Sequence, residues 1–246
     1  MKASVRDRLI VGLDVETARE ARELFARLRD HAGMFKIGSQ LFTAAGPGIV
    51  REMLSAGARI FLDLKYHDIP NTVAGAGIEA ARLGVSIFNV HALGGGLMMR
   101  RAREAVHEVS EREGLKRPAI IAVTALTSAD NATLEEVGIT GGALALVLRL
   151  ARLAEACGLD GVVASPGEIT MLRDQLSAPN FLIVTPGVRP LGSATDDQKR
   201  VMTPAEAIRA GADYLVISRP ILKAPEPERA VIKVLEEMEQ AYSQQD

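Results

Sequence analysis

Cysteine and long apolar runs are almost absent from the chain, and each absence argues against a class of protein. The single cysteine, Cys157, allows no disulfide framework within the chain, as is usual in a reducing cytoplasm. No run approaches the roughly 18 apolar residues of a membrane span. The charged segment 1–7 lacks the apolar stretch of a secretory leader. We therefore predict a cytoplasmic protein that is not embedded in a membrane.

An excess of charge of either sign is also missing. The chain carries 29 Lys and Arg residues against 31 Asp and Glu residues, for a formal net charge of -2. This balance does not supply the basic surface by which proteins bind nucleic acids or anionic membranes. The composition therefore predicts neither a nucleic-acid partner nor a membrane partner.

Common signatures of metal, nucleophile and dinucleotide sites are missing as well. The four histidines do not have metal-ligand spacing. Asp63, His67 and Asp68 could in principle hold a divalent ion, but the neighbouring lysines would repel it. No Ser-His-Asp or Cys-His arrangement is visible, and segment 12–16 after the first apolar run is not a glycine-rich dinucleotide turn. We expect no metal site.

Short apolar runs alternate with amphipathic helical patterns along the whole chain. The apolar runs predict strands, and the 3.6-residue periodicity between them predicts helices. Predicted strands lie at 8–14, 34–38, 59–65, 85–91, 118–124, 161–165, 181–185 and 213–218. Predicted helices lie at 17–31, 46–56, 69–83, 97–113, 128–137, 141–157, 166–176, 203–210 and 226–242.

The order of these elements predicts an α/β fold built from eight β/α units. Most strands are continuously apolar, which is typical of a parallel sheet covered by helices. Eight such units in 246 residues indicate a single (β/α)8 TIM barrel that spans residues 1–246 as one domain. A doubly wound open sheet is the alternative, but it would be expected to carry the dinucleotide turn that the chain lacks.

In a barrel, active-site residues gather at the carboxyl ends of the strands. The first three predicted strands end in charged residues, and the last two are followed by arginines. The candidates at this rim are Asp14, Lys36, Asp63, Lys65, His91, Thr124, Thr127, Ser165, Pro186, Gly187, Arg189, Ser218 and Arg219.

The most informative stretch is 63–72, which closes the third strand. Strand alternation places Asp63 and Lys65 on one face with Phe61, and Leu62 and Leu64 on the other. Opposite charges at a strand end are costly to desolvate unless they pair or take part in chemistry. An alternating array of these charges with Lys36 and either Asp14 or Asp68 would fix an ammonium in space. Such an ammonium can serve as a proton donor or as an electrostatic partner for a developing carbanion. A structural salt-bridge network is the alternative.

A second candidate site follows strands seven and eight. The connection 186–202 has about 17 residues, far more than the usual 4–6, and such long loops often act as lids. Arg189 and Arg219 provide two planar forks suited to phosphate oxygens. Barrels often bind phosphate between these two loops. Two solvent-exposed arginines are the alternative.

The motifs resemble those of the orotidine 5′-phosphate decarboxylase family. The main match is the pattern Asp63-x-Lys65-x-x-Asp68-Ile69-Pro70-x-Thr72. The remaining matches follow in the family's order over nearly the whole chain. They are Leu13-Asp14, Phe35-Lys36-Ile37-Gly38, Val90-His91-Ala92, Thr124-x-Leu126-Thr127, Thr185-Pro186-Gly187-Val188-Arg189 and Asp197-Gln198-Lys199-Arg200.

The resemblance implies decarboxylation of orotidine 5′-phosphate to uridine 5′-phosphate and CO2, the last step of de novo UMP synthesis. It implies a carbon–carbon lyase that needs no metal and no organic cofactor. Lys65 would protonate C6 of the pyrimidine as CO2 leaves, and Asp63 would face the departing carboxylate. Lys36 and Asp14 would hold the ribose hydroxyls and the charged array.

The resemblance also assigns the remaining substrate contacts and a partner. Thr127 would contact the pyrimidine, and the family is a homodimer with sites at the interface. Catalytic Asp68, with Ile69 and Thr72, would enter the site of the partner subunit. The other implied substrate-binding residues, including the phosphate ligands, are Pro186, Arg189, Gln198, Ser218 and Arg219.

One position departs from the family pattern. The family usually has glycine where Ser218 stands, which puts the phosphate geometry in question.

Three other functions compete with the one that the resemblance implies. Magnesium-dependent relatives, 3-keto-gulonate-phosphate decarboxylase and hexulose-phosphate synthase, have an acid in place of Lys36. A non-catalytic binding protein would be expected to lack one of the charged residues. A Schiff-base aldolase would need a neutral Lys65, which flanking carboxylates disfavour.

Overall fold

The chain folds into a closed barrel of parallel strands. The computed structural model describes residues 4–191 and 202–242. Eight strands pair in chain order, and the last pairs with the first. The strands are β1 (Leu9–Gly12), β2 (Met34–Gly38), β3 (Ile60–Tyr66), β4 (Ile87–His91), β5 (Ala119–Val123), β6 (Gly161–Val163), β7 (Leu182–Pro186) and β8 (Tyr214–Ile217). The predicted (β/α)8 barrel is confirmed, and the open sheet is excluded.

Helices connect the strands and cover the outside of the barrel. They are α1 (Ala18–Leu28), α2 (Ser39–Ser55), α3 (Pro70–Leu83), α4 (Gly95–Glu113), α5 (Asn131–Glu136), α6 (Ala143–Ala156), α7 (Ile169–Gln175), α8 (Pro204–Ala210), α9 (Arg219–Leu222) and α10 (Pro227–Tyr242). Within the described ranges, no helix is long and apolar enough to cross a bilayer.

Two helices differ from the sequence-based expectation. Helix α2 begins at Ser39, well before the predicted start at 46, because a helical turn precedes a kink at Gly46. Gly46 has a φ of 63°, and Pro47 starts the second part of the helix. Helix α9 was not predicted, because four residues are too few to show a helical period.

The barrel has an apolar interior, and a second apolar layer lies between the strands and the helices. On β1, Ile10 belongs to the interior cluster, whereas Leu9 and Val11 belong to the outer one. Both faces are therefore buried, which explains why the strands are continuously apolar. The buried members of the interior cluster are Ile10, Met34, Phe61, Ile87, Ile121, Val184 and Val216.

Strand β3 carries the charged residues and is irregular where they lie. Phe61, Asp63 and Lys65 line one pocket, while Leu62 and Leu64 pack in the outer layer, as strand alternation predicted. The pairing of β3 with β4 shifts between Leu62 and Tyr66. Lys65 has a φ of 51°, in the left-handed region that residues with a Cβ rarely adopt.

Candidate active site

A pocket opens at the carboxyl ends of the strands, where the charged strand ends meet the loops after β7 and β8. Most of the residues predicted for the site line this pocket together. They are Asp14, Lys36, Asp63, Lys65, Thr127, Pro186, Arg189, Ser218 and Arg219. The rest of the lining is largely apolar and includes Phe61, Val123, Leu126, Val163, Val216 and Pro220.

Asp63 lies between two lysine ammonium groups. Lys65 Nζ is 2.6 Å from Asp63 Oδ1, and Lys36 Nζ is 3.3 Å from Asp63 Oδ2. Lys36 Nζ also donates a hydrogen bond of 2.7 Å to Asp14 Oδ1. The four side chains therefore form the continuous array of alternating charge that the strand ends predicted.

The array holds its inner members charged although they are largely buried. Burial alone would raise the pKa of Asp63, but Lys36, Lys65 and a hydrogen bond from Asn89 together hold it below its usual value. Burial likewise opposes the charge on Lys36, but the nearby Asp14 and Asp63 carboxylates raise its pKa above its usual value. The pocket thus contains a fixed anion beside fixed cations.

Asn89 belongs to the array and was missed in the sequence. It lies on β4 and is completely buried. Its Nδ2 donates to Asp63 Oδ1 at 2.7 Å, and its Oδ1 accepts from the Lys65 backbone N–H at 2.8 Å. The one feature of the sequence that could have indicated this role is a single amide side chain within the otherwise apolar segment 87–90.

Gly12 at the end of β1 makes room for the array. A Cβ at this position would lie 3.0 Å from Ser218 Cβ, 3.1 Å from Asp14 Oδ2 and 3.2 Å from Lys36 Cε. Such contacts are tighter than ordinary packing, so a larger residue would displace the two charged side chains. Gly12 therefore contributes to the site because its missing side chain leaves room for Asp14 and Lys36.

The two predicted phosphate-binding arginines enter the same pocket from neighbouring loops. Arg189 follows β7 and is buried, and its backbone N–H donates to the Met202 carbonyl oxygen at 3.0 Å. Arg219 begins α9, directly after β8. The predicted contact Gln198 lies outside the described residues.

Ser218 fits its position without the glycine that the family usually has. Its φ is -125°, so the backbone does not need the left-handed conformation that would favour glycine. Its hydroxyl oxygen is buried and has no hydrogen-bond partner within residues 4–191 and 202–242. The serine therefore adds a polar atom at the pocket wall.

Asp68, Ile69 and Thr72 do not reach the pocket of their own chain. They lie in the exposed turn before α3 and in its first turn. Asp68 Oδ1 accepts a hydrogen bond of 2.6 Å from the Ile69 backbone N–H. Ile69 is 67% exposed. The structure thus separates the predicted site residues into a pocket set and an exposed set.

Two histidines lie near the array. His91 ends β4, and its ring stacks on that of His67 with 5.3 Å between centroids. Burial, His67 and Lys65 together lower the pKa of His91. In the part of the chain that the structure describes, no three His, Cys, Asp or Glu side chains are grouped as a metal site.

The chain is similar to a known protein family over most of its length. The sequence model of the orotidine 5′-phosphate decarboxylase / HUMPS family matches residues 7–234. The orotidine 5′-phosphate decarboxylase of Geobacter sulfurreducens is 54% identical over 233 residues, covering 95% of this chain and 96% of the relative. That of Syntrophotalea carbinolica is 50% identical over 244 residues, covering 99% of this chain and 100% of the relative.

A solved structure shows the same fold. The crystal structure of orotidine 5′-phosphate decarboxylase from Lactobacillus acidophilus superposes with a TM-score of 0.83 at 35% identity. The match covers 94% of this chain and 98% of that one. Since the family model and these relatives match almost the whole chain, the chain belongs to the orotidine 5′-phosphate decarboxylase / HUMPS family, as its motifs predicted.

Proposed function

We propose that this carbon–carbon lyase decarboxylates orotidine 5′-phosphate to uridine 5′-phosphate and CO2, in the last step of UMP synthesis. We further propose that residues 1–246 form one catalytic domain that works in the cytoplasm. The observation that carries the proposal is the position of Asp63 between Lys36 and Lys65, at 3.3 Å and 2.6 Å. This pairing sets an anion and a proton donor side by side in one pocket.

Lys36 separates this activity from the magnesium-dependent activities of similar barrels. Its ammonium lies 2.7 Å from Asp14 and 3.3 Å from Asp63. The ammonium therefore occupies the position between the two carboxylates where a divalent cation would have to bind. A fixed positive charge there repels a second cation, so the donor set favours a reaction without a metal.

The proposed reaction needs one proton donor at C6 of the pyrimidine. The bond between C6 and the carboxylate carbon breaks, its electron pair stays on C6, and CO2 leaves. The Lys65 ammonium stabilises the developing negative charge and transfers a proton to C6. The lysine is left as a neutral amine, which regains a proton from solvent.

Asp63 raises the energy of the bound substrate in this mechanism. Its carboxylate stays charged because the lysines and Asn89 hold its pKa low. It therefore faces the substrate carboxylate as an anion, and the repulsion disappears as CO2 departs. Lys36 and Asp14 hold the ribose hydroxyls and keep Asp63 in place.

The rest of the pocket binds the remainder of the nucleotide. Arg189 and Arg219 bind the phosphate by charge-assisted hydrogen bonds, with Gln198 and Ser218 as further polar contacts. Thr127 contacts the pyrimidine, which lies against an apolar wall that includes Pro186. The substrate thus spans the pocket from the ion array to the arginines.

The exposed turn before α3 serves the neighbouring subunit. We propose a homodimer in which Asp68, Ile69 and Thr72 complete the partner's pocket. This arrangement is supported by the absence of all three from the lining of their own pocket. A partner at this turn would also cover the exposed Ile69.

The decisive experiment is turnover after treatment with a chelator. Purified protein incubated with excess EDTA and then freed of it should still consume orotidine 5′-phosphate, measured as the fall in ultraviolet absorbance. Addition of magnesium should change the rate less than twofold. No turnover, or turnover only with magnesium, would overturn the proposal.

Arg219→Ala should mainly weaken binding of the phosphorylated substrate. Charge-assisted hydrogen bonds to one guanidinium contribute about 1.5–3 kcal/mol, so we expect KM to rise by roughly 10–100-fold. Steady-state kinetics with orotidine 5′-phosphate measures this rise.

Binding of uridine 5′-phosphate and of uridine provides the control for this variant. The substitution should weaken calorimetric binding of the phosphorylated ligand and leave binding of uridine unchanged. An unchanged KM, or equal losses for both ligands, would contradict the assignment of Arg219 to the phosphate.

A further inference from the structure

We propose that Asn89 is a positioning residue whose carboxamide locks the backbone of Lys65 to the carboxylate of Asp63 and thereby places the Lys65 ammonium. The inference rests on the proposed decarboxylase function, which assigns the proton transfer to that ammonium. Asn89 itself is absent from the pocket lining, so it acts through its neighbours.

The backbone of Lys65 needs such a restraint. Within the described residues, Lys65 is the only residue other than glycine with a positive φ, at 51°. A side chain with a Cβ is strained in this region, and strained backbone persists only where its surroundings hold it. The Lys65 N–H donates to Asn89 Oδ1 at 2.8 Å, which is a contact that can hold this conformation.

The other end of the carboxamide fixes the anion. Asn89 Nδ2 donates to Asp63 Oδ1 at 2.7 Å, and the same oxygen lies 2.6 Å from Lys65 Nζ. A closed ring of contacts therefore runs from the Lys65 backbone through Asn89 and Asp63 to the Lys65 ammonium. The position of the ammonium thus depends on both ends of one rigid amide.

Asparagine is suited to this place because the ring needs one acceptor and one donor on a short planar group. Aspartate has the same shape but offers only acceptors, and it would bring a second anion beside Asp63. Alanine removes both contacts. Because Asn89 is completely buried, no bulk water replaces them.

The first test compares Asn89→Ala with a control at the opposite end of the barrel. Asp160 directly precedes β6, and its Oδ2 accepts a hydrogen bond of 2.7 Å from the Ile120 backbone N–H. Asp160→Ala therefore removes another side-chain contact to a strand backbone without touching Asp63 or Lys65. We expect kcat to fall about 10²-fold in Asn89→Ala, the typical cost of a misplaced reacting group, and less than twofold in Asp160→Ala.

Binding distinguishes misplacement from partial unfolding. Asn89→Ala should bind uridine 5′-phosphate at one molecule per subunit in calorimetry and keep its KM within threefold. A loss of binding sites in proportion to the loss of kcat would show a merely structural role. A crystal structure of the variant should show Lys65 relaxed to a negative φ, and an unchanged φ would overturn the proposal.

Asn89→Asp supplies a second test that does not depend on the alanine variant folding. Asp63 faces Lys36 and Lys65, and the new carboxylate would add an anion opposite them. A neighbouring anion raises the pKa of Asp63, so the acid limb of the kcat profile should move to higher pH. An unmoved limb with kcat within twofold of wild type would overturn the proposal.

Turnover by the wild-type protein distinguishes failure of the proposed function from failure of the positioning role. If the wild-type protein does not turn over orotidine 5′-phosphate, the proposed function fails. If it does and both Asn89 variants match it in kcat and pH profile, only the positioning role fails.

Discussion

Lys65→Ala is expected to lower kcat by on the order of 10⁴-fold, because no other group on β3 can donate a proton at the same place. The Lys65 ammonium lies 2.6 Å from Asp63 and lines the pocket, whereas the Lys36 ammonium comes from β2 and is held between Asp14 and Asp63, at 2.7 Å and 3.3 Å. Alanine removes both the proton donor and the charge that stabilises the carbanion. Single-turnover kinetics with orotidine 5′-phosphate measures the loss.

The fold should survive this substitution. Asp63 keeps its contacts with Lys36 and Asn89, so no buried carboxylate is left unpaired. The Lys65 side chain is 38% exposed, and alanine at the same positive φ carries the same Cβ. We expect a loss of about 1 kcal/mol or less in the free energy of unfolding, measured by urea denaturation.

Two further variants show whether the loss is specific. Lys116→Ala removes an exposed lysine from the loop before β5, at the opposite end of the barrel, and should leave kcat unchanged. Lys65→Arg keeps a positive charge but not the compact ammonium, so it should be nearly as inactive as the alanine variant. A kcat of Lys65→Ala within tenfold of wild type would contradict the assignment of the proton donor.

The barrel and the main charges of the site could be predicted because they follow from local pattern. Each apolar run has the length of a strand, and each amphipathic segment has a helical period. The alternation of side chains along β3 was enough to place Asp63 and Lys65 on the pocket face. Barrel topology then brought Lys36 and Arg219 to the same rim.

The contacts of Asn89 could not be predicted because they depend on register between strands. The amide meets Asp63 and the Lys65 backbone only where the pairing of β3 and β4 becomes irregular. Periodicity assigns a residue to a face but does not show a shift in pairing. For the same reason the left-handed conformation of Lys65 had no sign in the sequence.

Mixing two inactive variants tests the proposed dimer, because the mixture should recover activity that neither variant has alone. Asp68 is exposed and lies outside its own pocket. If it serves the partner's site, Asp68→Ala alone should lower kcat by about 10²-fold, because the substrate loses a positioning group. A mixed dimer of Lys65→Ala with Asp68→Ala would then contain one fully intact site.

The expected recovery follows from the symmetry of a dimer. Random assembly makes half of the dimers mixed, and each mixed dimer has one intact site of two, so about a quarter of wild-type activity should return. Lys65→Ala mixed with Asp63→Ala is the matched control, because both substitutions damage the pocket of their own chain and leave no intact site. The variants are co-expressed with two different tags and assayed with orotidine 5′-phosphate. If the first mixture stays as inactive as the control, Asp68 does not act across the interface.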